Sequence, residues 1–186
     1  FTAERGKVPT VVKGVRKVKS RFGGRLEPFT YLQVQLHEGR SLHTLTGADT
    51  IKTHAVIRER PMALQAGLAF IDMLNRVTHY FEKRPRSFNL LVRFLNEMDR
   101  ASAGYIALTL AAELKLLLLS GFLPHLETCA SCGADENLPR FSAQAGGTIC
   151  ENCKGESFQV TGRTLTTMRL LLEKPLAEVT GTEIDE

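Results

Sequence analysis

Four cysteines, Cys129, Cys132, Cys150 and Cys153, are the only thiols in the 186-residue chain. All fall within one stretch, ETCASCGADENLPRFSAQAGGTICENCK, as two Cys-x2-Cys pairs. A two-residue gap lets a tight turn aim two sulfurs at one ion, and two such turns complete a tetrahedron, the pattern of a four-thiolate zinc site. Backbone N–H groups of each turn stabilise the thiolates and favour the bound state. Gly133 and Gly155 follow the two pairs, and Gly146-Gly147 marks a hairpin turn between them. Two disulfides would suit a secreted mini-protein, but this chain has ample apolar sequence elsewhere and its N-terminus shows no apolar export segment. A redox dithiol fits less well than a structural pair of knuckles flanking a hairpin. Four protein ligands leave zinc no open position for water, so the expected metal clamps a ribbon too small to hold itself together. His125 lies near Cys129 and is not needed as a ligand.

A second constellation is electrostatic. The segment ERGKVPTVVKGVRKVKSRFGGRLEPF places Arg5, Lys7, Lys13, Arg16, Lys17, Lys19, Arg21 and Arg25 against only Glu4 and Glu27. The chain as a whole carries a formal charge of only +4, so position matters more than the total. Gly14, Gly23 and Gly24 make the run pliable, and Phe22 is an aromatic within it, able to stack on a base. Cations with an interleaved aromatic are what sequence-independent binding of single strands needs, with phosphates supplying most of the affinity. The plainer reading is a solvated loop whose Phe22 folds back onto the core.

The elements that must position these groups change character along the chain. Up to about Thr50 the pattern is strand-like: KVPTVVKGV, FTYLQVQLHEG and RSLHTLTGAD alternate β-branched and aromatic residues, with Gly39-Arg40 linking the last two as a hairpin. Short strands with glycine links suggest a small barrel. From Pro61 to Phe122 the period is helical. Pro61 opens a helix with a face of Leu64, Leu68, Ile71 and Leu74, and Ser87 is a good N-cap for the next. SAGYIALTLAAELKLLLLSGF is apolar nearly all round and is expected to be a buried central helix ending at Ser120-Gly121. Met62, Met73 and Met98 are read as core filler. After the cysteines, a short strand, a turn at Thr161-Gly162 and an amphipathic helix follow, and the acidic end EVTGTEIDE is expected to fray. The longest apolar run, Leu114–Leu119, contains Lys115 and is far too short to span a bilayer.

Taken in order, these parts resemble the RecO family of bacterial recombination mediators. KG-x-R…SRFGG-x-LEPF is similar to a segment of that family's N-terminal OB-fold. AAELKLLLLSGFLP is similar to its long helix ahead of the metal site, the paired cysteines follow at once, and FQVTGRTLTTMRLLL is similar to its return segment. The resemblance implies an α+β multidomain fold: an OB-fold β-barrel lacking its first strand at 1–52, a helical domain at 53–124, a zinc ribbon at 125–158, and a return strand and helix at 159–186. It implies further residues before Phe1 and beyond the last helix. It also implies a cytoplasmic, nucleoid-associated DNA-binding protein that is not an enzyme. Such a protein binds single- and double-stranded DNA and anneals complementary strands without ATP. With RecR it helps load RecA onto strands coated by single-stranded-DNA-binding protein (SSB), whose acidic tail it also binds. Lys13, Arg16, Lys17, Lys19, Arg21 and Arg25 would then hold phosphates, Phe22 would stack, and Cys129, Cys132, Cys150 and Cys153 would hold structural Zn2+. Consistently, the chain has no GxxxxGK[ST], HExxH or GxSxG motif. The alternative is a protein-interaction scaffold with an incidental basic loop.

Overall fold

A computed structural model describes residues 1–15 and 22–184. Three strands open the chain: β1 (Thr10–Val11), β2 (Tyr31–His37) and β3 (His43–Lys52), in the order β1-β3-β2. β2 and β3 form the antiparallel hairpin that Gly39-Arg40 predicts, whereas β1 runs parallel to β3 and is two residues long, much shorter than Lys7–Val15. Along β2, Leu32, Val34 and Leu36 are half-buried while Gln33, Gln35 and His37 face outward, the period of two of a half-covered sheet. In β3 the register slips opposite Gln35 and Leu36, so that Thr46 stands as an extra residue. The bulge resets the inward face, which is why Leu45 and Ala48, three apart, are both buried. Among the described residues this sheet stays open, and the expected closed barrel is not formed.

Five helices follow: α1 (Ala55–Glu59), α2 (Pro61–Val77), α3 (Pro85–Arg100), α4 (Tyr105–Ser120) and, after the ribbon, α5 (Gly162–Glu173). Pro61 occupies the first turn of α2 as expected, but the buried stripe is Ala63, Gly67, Phe70 and Leu74. Leu68 is left exposed. Small residues win the inner face because a neighbour comes close: a Cβ on Gly67 would stand 3.0 Å from the ring of Phe29. Ser87 is not a cap; α3 starts at Pro85, two residues earlier, and Ser87 is buried in its first turn. Phe70 and Phe94 meet at 4.4 Å between ring centroids and join α2 to α3. Met98 fills the core and Met73 packs against it, but Met62 is exposed.

α4 packs against α2, α3, α5 and a 3-10 turn at Leu176–Glu178. Eight of its residues are buried, from Tyr105 to Leu116, while Ile106, Leu110 and Leu118 reach solvent. It ends where expected, with Gly121 at φ 81° donating to the carbonyls of Leu117 and Leu118. The C-terminal segment does not fray through its described residues. Leu176 and Val179 are buried and Ile184 packs on the same core.

The N-terminal sheet is tied to the helices by polar seams. Lys52 and His54 both meet Oδ2 of Asp99 on α3, at 3.1 and 3.2 Å, and Lys52 also donates to Asn96 Oδ1 at 2.8 Å. Burial holds His54 below its ordinary pKa, so a neutral ring sits in this seam. Arg58 donates to the carbonyls of Pro28 and Thr53, both at 2.8 Å.

The docked C-terminal segment is open to test. Gly104 has φ 72°, and a Cβ there would stand 2.0 Å from the Thr180 carbonyl oxygen. Gly104→Ala should destabilise the chain by at least about 1–2 kcal/mol, read as a lower urea midpoint and faster proteolysis beyond Lys174. An unchanged midpoint would mean that the segment is not held there.

Candidate metal centre and nucleic-acid interface

The ribbon is a three-stranded sheet in the order β5-β4-β6, made of β4 (Arg140–Ser142), β5 (Gly147–Ile149) and β6 (Phe158–Gln159). β4 and β5 form the hairpin, with Gly146 at φ 76° in its turn. The first knuckle is closed by Gly133 N–H donating to the Cys129 carbonyl at 2.8 Å, and Gly133 adopts φ 79°, which favours glycine. The second is closed by Cys153 N–H donating to the Cys150 carbonyl at 3.3 Å. Thr148, wholly buried, ties the two halves together: its hydroxyl donates to the carbonyls of His125 and Thr128.

All four sulfurs lie within 4.8 Å of one another. Cys129 and Cys153 are 3.7 Å apart, as are Cys132 and Cys150, well outside disulfide bonding distance. The electrostatics agree with a cation site. The backbone N–H of Cys150, 3.4 Å from the Cys129 sulfur, helps hold that thiol down to about 6. Cys153 is pushed up to about 12 by hydrogen bonds with Cys132, Cys150 and Cys129. Four thiols packed this closely cannot all ionise on their own. A metal ion at their centre replaces the shared protons and removes the conflict. The four residues therefore can hold a metal ion, as their spacing predicts.

One residue of this centre was not read from the sequence. Arg140, on β4, points its guanidinium into the second knuckle and donates to the carbonyls of Cys150 and Cys153, both at 2.7 Å, and of Glu151 at 3.2 Å. It gathers three carbonyls that converge as the chain turns around the cysteines. Only its position, opposite Ile149 and one residue before Cys150 across the hairpin, hints at this role. His125 is not part of the metal-capable cluster; its backbone pairs with Gly147 beside the hairpin turn.

The predicted phosphate-binding residues fare differently. Arg16, Lys17, Lys19 and Arg21 lie outside the described residues. Lys13 and Arg25, which flank that run, are exposed. Phe22 is a correction: it is 3% exposed and packs with Leu45 and Ala48, against the inner face of the N-terminal sheet. Its ring is part of a small core and offers no free face to a base. Lys115 is likewise engaged, capping α5 by donating to the carbonyls of Leu171 (3.0 Å) and Leu172.

A small sheet, a helical bundle and a four-thiol ribbon set before the last packed helix define a class of mixed α+β proteins. Family models described as recombination protein O N terminal and recombination protein O C terminal match residues 1–54 and 58–186. The chain is 37% identical to the DNA repair protein RecO of Rubrobacter xylanophilus, over 96% of this chain and 74% of that protein. It is 34% identical to that of Alkaliphilus metalliredigens, with 96% and 74% covered, and 36% identical to that of Myxococcus xanthus, with 93% and 72% covered. The chain belongs to the RecO family, which places it among proteins of DNA repair and recombination.

Arg140→Ala should lower metal affinity about 10- to 100-fold, measured by competition with a chromogenic chelator, because three carbonyls lose the group that orders the turn. Arg140→Lys should recover only part of this loss. Equal affinity in wild type and Arg140→Ala would show that the guanidinium merely fills space.

Proposed function

We propose that the chain is a DNA-binding recombination mediator that works by charge neutralisation and positioning, with no catalytic step of its own. The observation that carries this reading is its membership of the RecO family over both halves, together with a basic segment of eight cations against two acids between Glu4 and Glu27. Lys13, Arg16, Lys17, Lys19, Arg21 and Arg25 hold phosphates of single- and double-stranded DNA. Neutralising two polyanions lets complementary strands approach and anneal without ATP. On this reading RecR acts with the chain, RecA is loaded onto SSB-coated strands, and the acidic SSB tail is a further partner. The setting is cytoplasmic. Among the described residues no helix is long and apolar enough to cross a membrane.

The metal is zinc, held by Cys129, Cys132, Cys150 and Cys153 in a structural role. Zinc bound by thiolates at about 2.3 Å in a tetrahedron sets its sulfurs about 3.8 Å apart, close to the 3.7 Å of the Cys129–Cys153 and Cys132–Cys150 pairs. With all four positions occupied by sulfur, the ion supplies cross-linking and no reactive water. The ribbon's own apolar core, Cys129, Ile149 and Cys150 with Leu138 and Cys153 against them, is small enough to need it.

Two measurements test these readings. If about five phosphates are neutralised, log affinity for single-stranded DNA falls with log salt at a slope near roughly −3.5. Reversing Lys17 and Lys19 to Glu together should weaken binding uniformly across sequences and flatten that slope while leaving the unfolding midpoint unchanged. A flat salt response in the wild type would favour a protein-interaction scaffold instead. Separately, Cys132→Ser should lower zinc content and ribbon stability more than the DNA affinity of the folded fraction; full zinc occupancy in that variant would contradict the site.

A further inference from the structure

With Phe22 buried, the aromatic part of a single-strand interface has to lie elsewhere, and the structure assigns it to the loop between α2 and α3. We propose that Tyr80 and Phe81 form a stacking platform for the unpaired bases of single-stranded nucleic acid, flanked by Lys7, Lys83 and Arg86. The inference rests on the DNA-binding reading above and joins one cation of the basic segment, Lys7, to residues of a different loop.

Two neighbouring aromatics stand out from the surface here, Tyr80 at 59% and Phe81 at 50% exposed. They are held, not merely unburied. Tyr80 bridges to Lys7 as an isolated parallel pair, and Phe81 N–H donates to the Lys7 carbonyl at 2.9 Å. Phe81 adopts φ 60°, a conformation costly for a bulky residue and kept only where surroundings impose it. The His43 ring lies 5.5 Å from that of Phe81. Lys7 Nζ sits 4.5 Å from the centroid of the Tyr80 ring and also donates to Asn75 O and Oδ1, at 2.9 and 2.8 Å. The ring is thus fixed from one side by a cation, with most of its surface open.

Charge selects the occupant. Residues 79–88 carry Lys83, Arg84 and Arg86 against Glu82 alone, and Glu82 is already bonded to Arg84 at 2.6 Å. Lys83 and Arg86 are exposed. An aromatic pair beside cations fits bases and phosphates of one strand, whereas a duplex keeps its base faces covered. The location adds continuity. Lys7 precedes β1 and Lys13 follows it, so the platform and the start of the basic segment are at most about 22 Å apart along one short stretch of chain.

The sequence contains no tryptophan, so Tyr80→Trp creates a single reporter. Unlabelled oligo(dT) is titrated against it while anisotropy of a labelled copy follows binding in parallel. The expected result is saturable quenching of the tryptophan that tracks oligo(dT) binding at the same midpoint. Tyr80→Ala and Phe81→Ala should each weaken oligo(dT) binding about fivefold or more with the salt slope unchanged, since no phosphate contact is lost. Lys17→Glu with Lys19→Glu should flatten the slope instead. Saturable oligo(dT) binding with constant tryptophan emission overturns the platform and leaves the basic segment as the DNA site. No binding by the wild-type chain at low salt overturns both readings together.

Discussion

A helix without a polar face has to be covered by the rest of the chain, and α4 imposes that demand on almost everything around it. Its buried residues run from Tyr105 to Leu116. α2 and α3 take two of its flanks, α5 a third, and the turn at Leu176–Glu178 a fourth. The order of elements follows. The two helices before α4 are in place when it forms, while α5 must be brought back across it after the ribbon. This accounts for the buried C-terminal segment: Val179 and Leu176 close the last open side of the core. It also explains why the apolar Ile106, Leu110 and Leu118 remain outside, on the strip no element reaches.

The polar side of the structure has its own rule. Many of the cations are engaged within the molecule, holding backbone carbonyls. Arg58 serves Pro28 and Thr53, Arg60 serves Ala101, Lys115 closes the end of α5, Arg140 binds the second knuckle and Arg169 reaches the Leu126 carbonyl. Each satisfies an acceptor left over at the end of a helix or strand or in a turn or loop. A formal charge of +4 therefore says little about the field at any one face. The N-terminal basic segment and the loop after α2 stand apart because their cations outnumber the acids beside them in the sequence.

The sequence showed the two features with strong local grammar. Paired cysteines at fixed spacing announced the metal centre, and helical periodicity announced α2 to α5. It did not show which face of α2 turns inward, because that depends on Phe29 arriving from a distant segment to press on Gly67. It left Phe22 open between a stacking group and a ring folded back onto the core, since the alternation around it is hidden by neighbouring glycines and cations, and the core reading is the one the structure bears out. Arg140 was invisible for a related reason. Its partners are carbonyls, which carry no residue identity, and they converge only once the hairpin has formed. The bulge at Thr46 likewise shifts the inward face of β3 in a way that pattern alone misplaces.

The ribbon's insertion between α4 and α5 has a consequence for synthesis. While residues 121–161 are being translated, which takes about 2–8 s at ordinary ribosomal speed, the flank of α4 destined for α5 has no cover. During that interval the nascent chain presents a greasy groove to whatever is nearby, chaperones included. Four sulfurs that can hold one ion offer a way to take up the slack between the two helices and so to bring α5 sooner onto that flank.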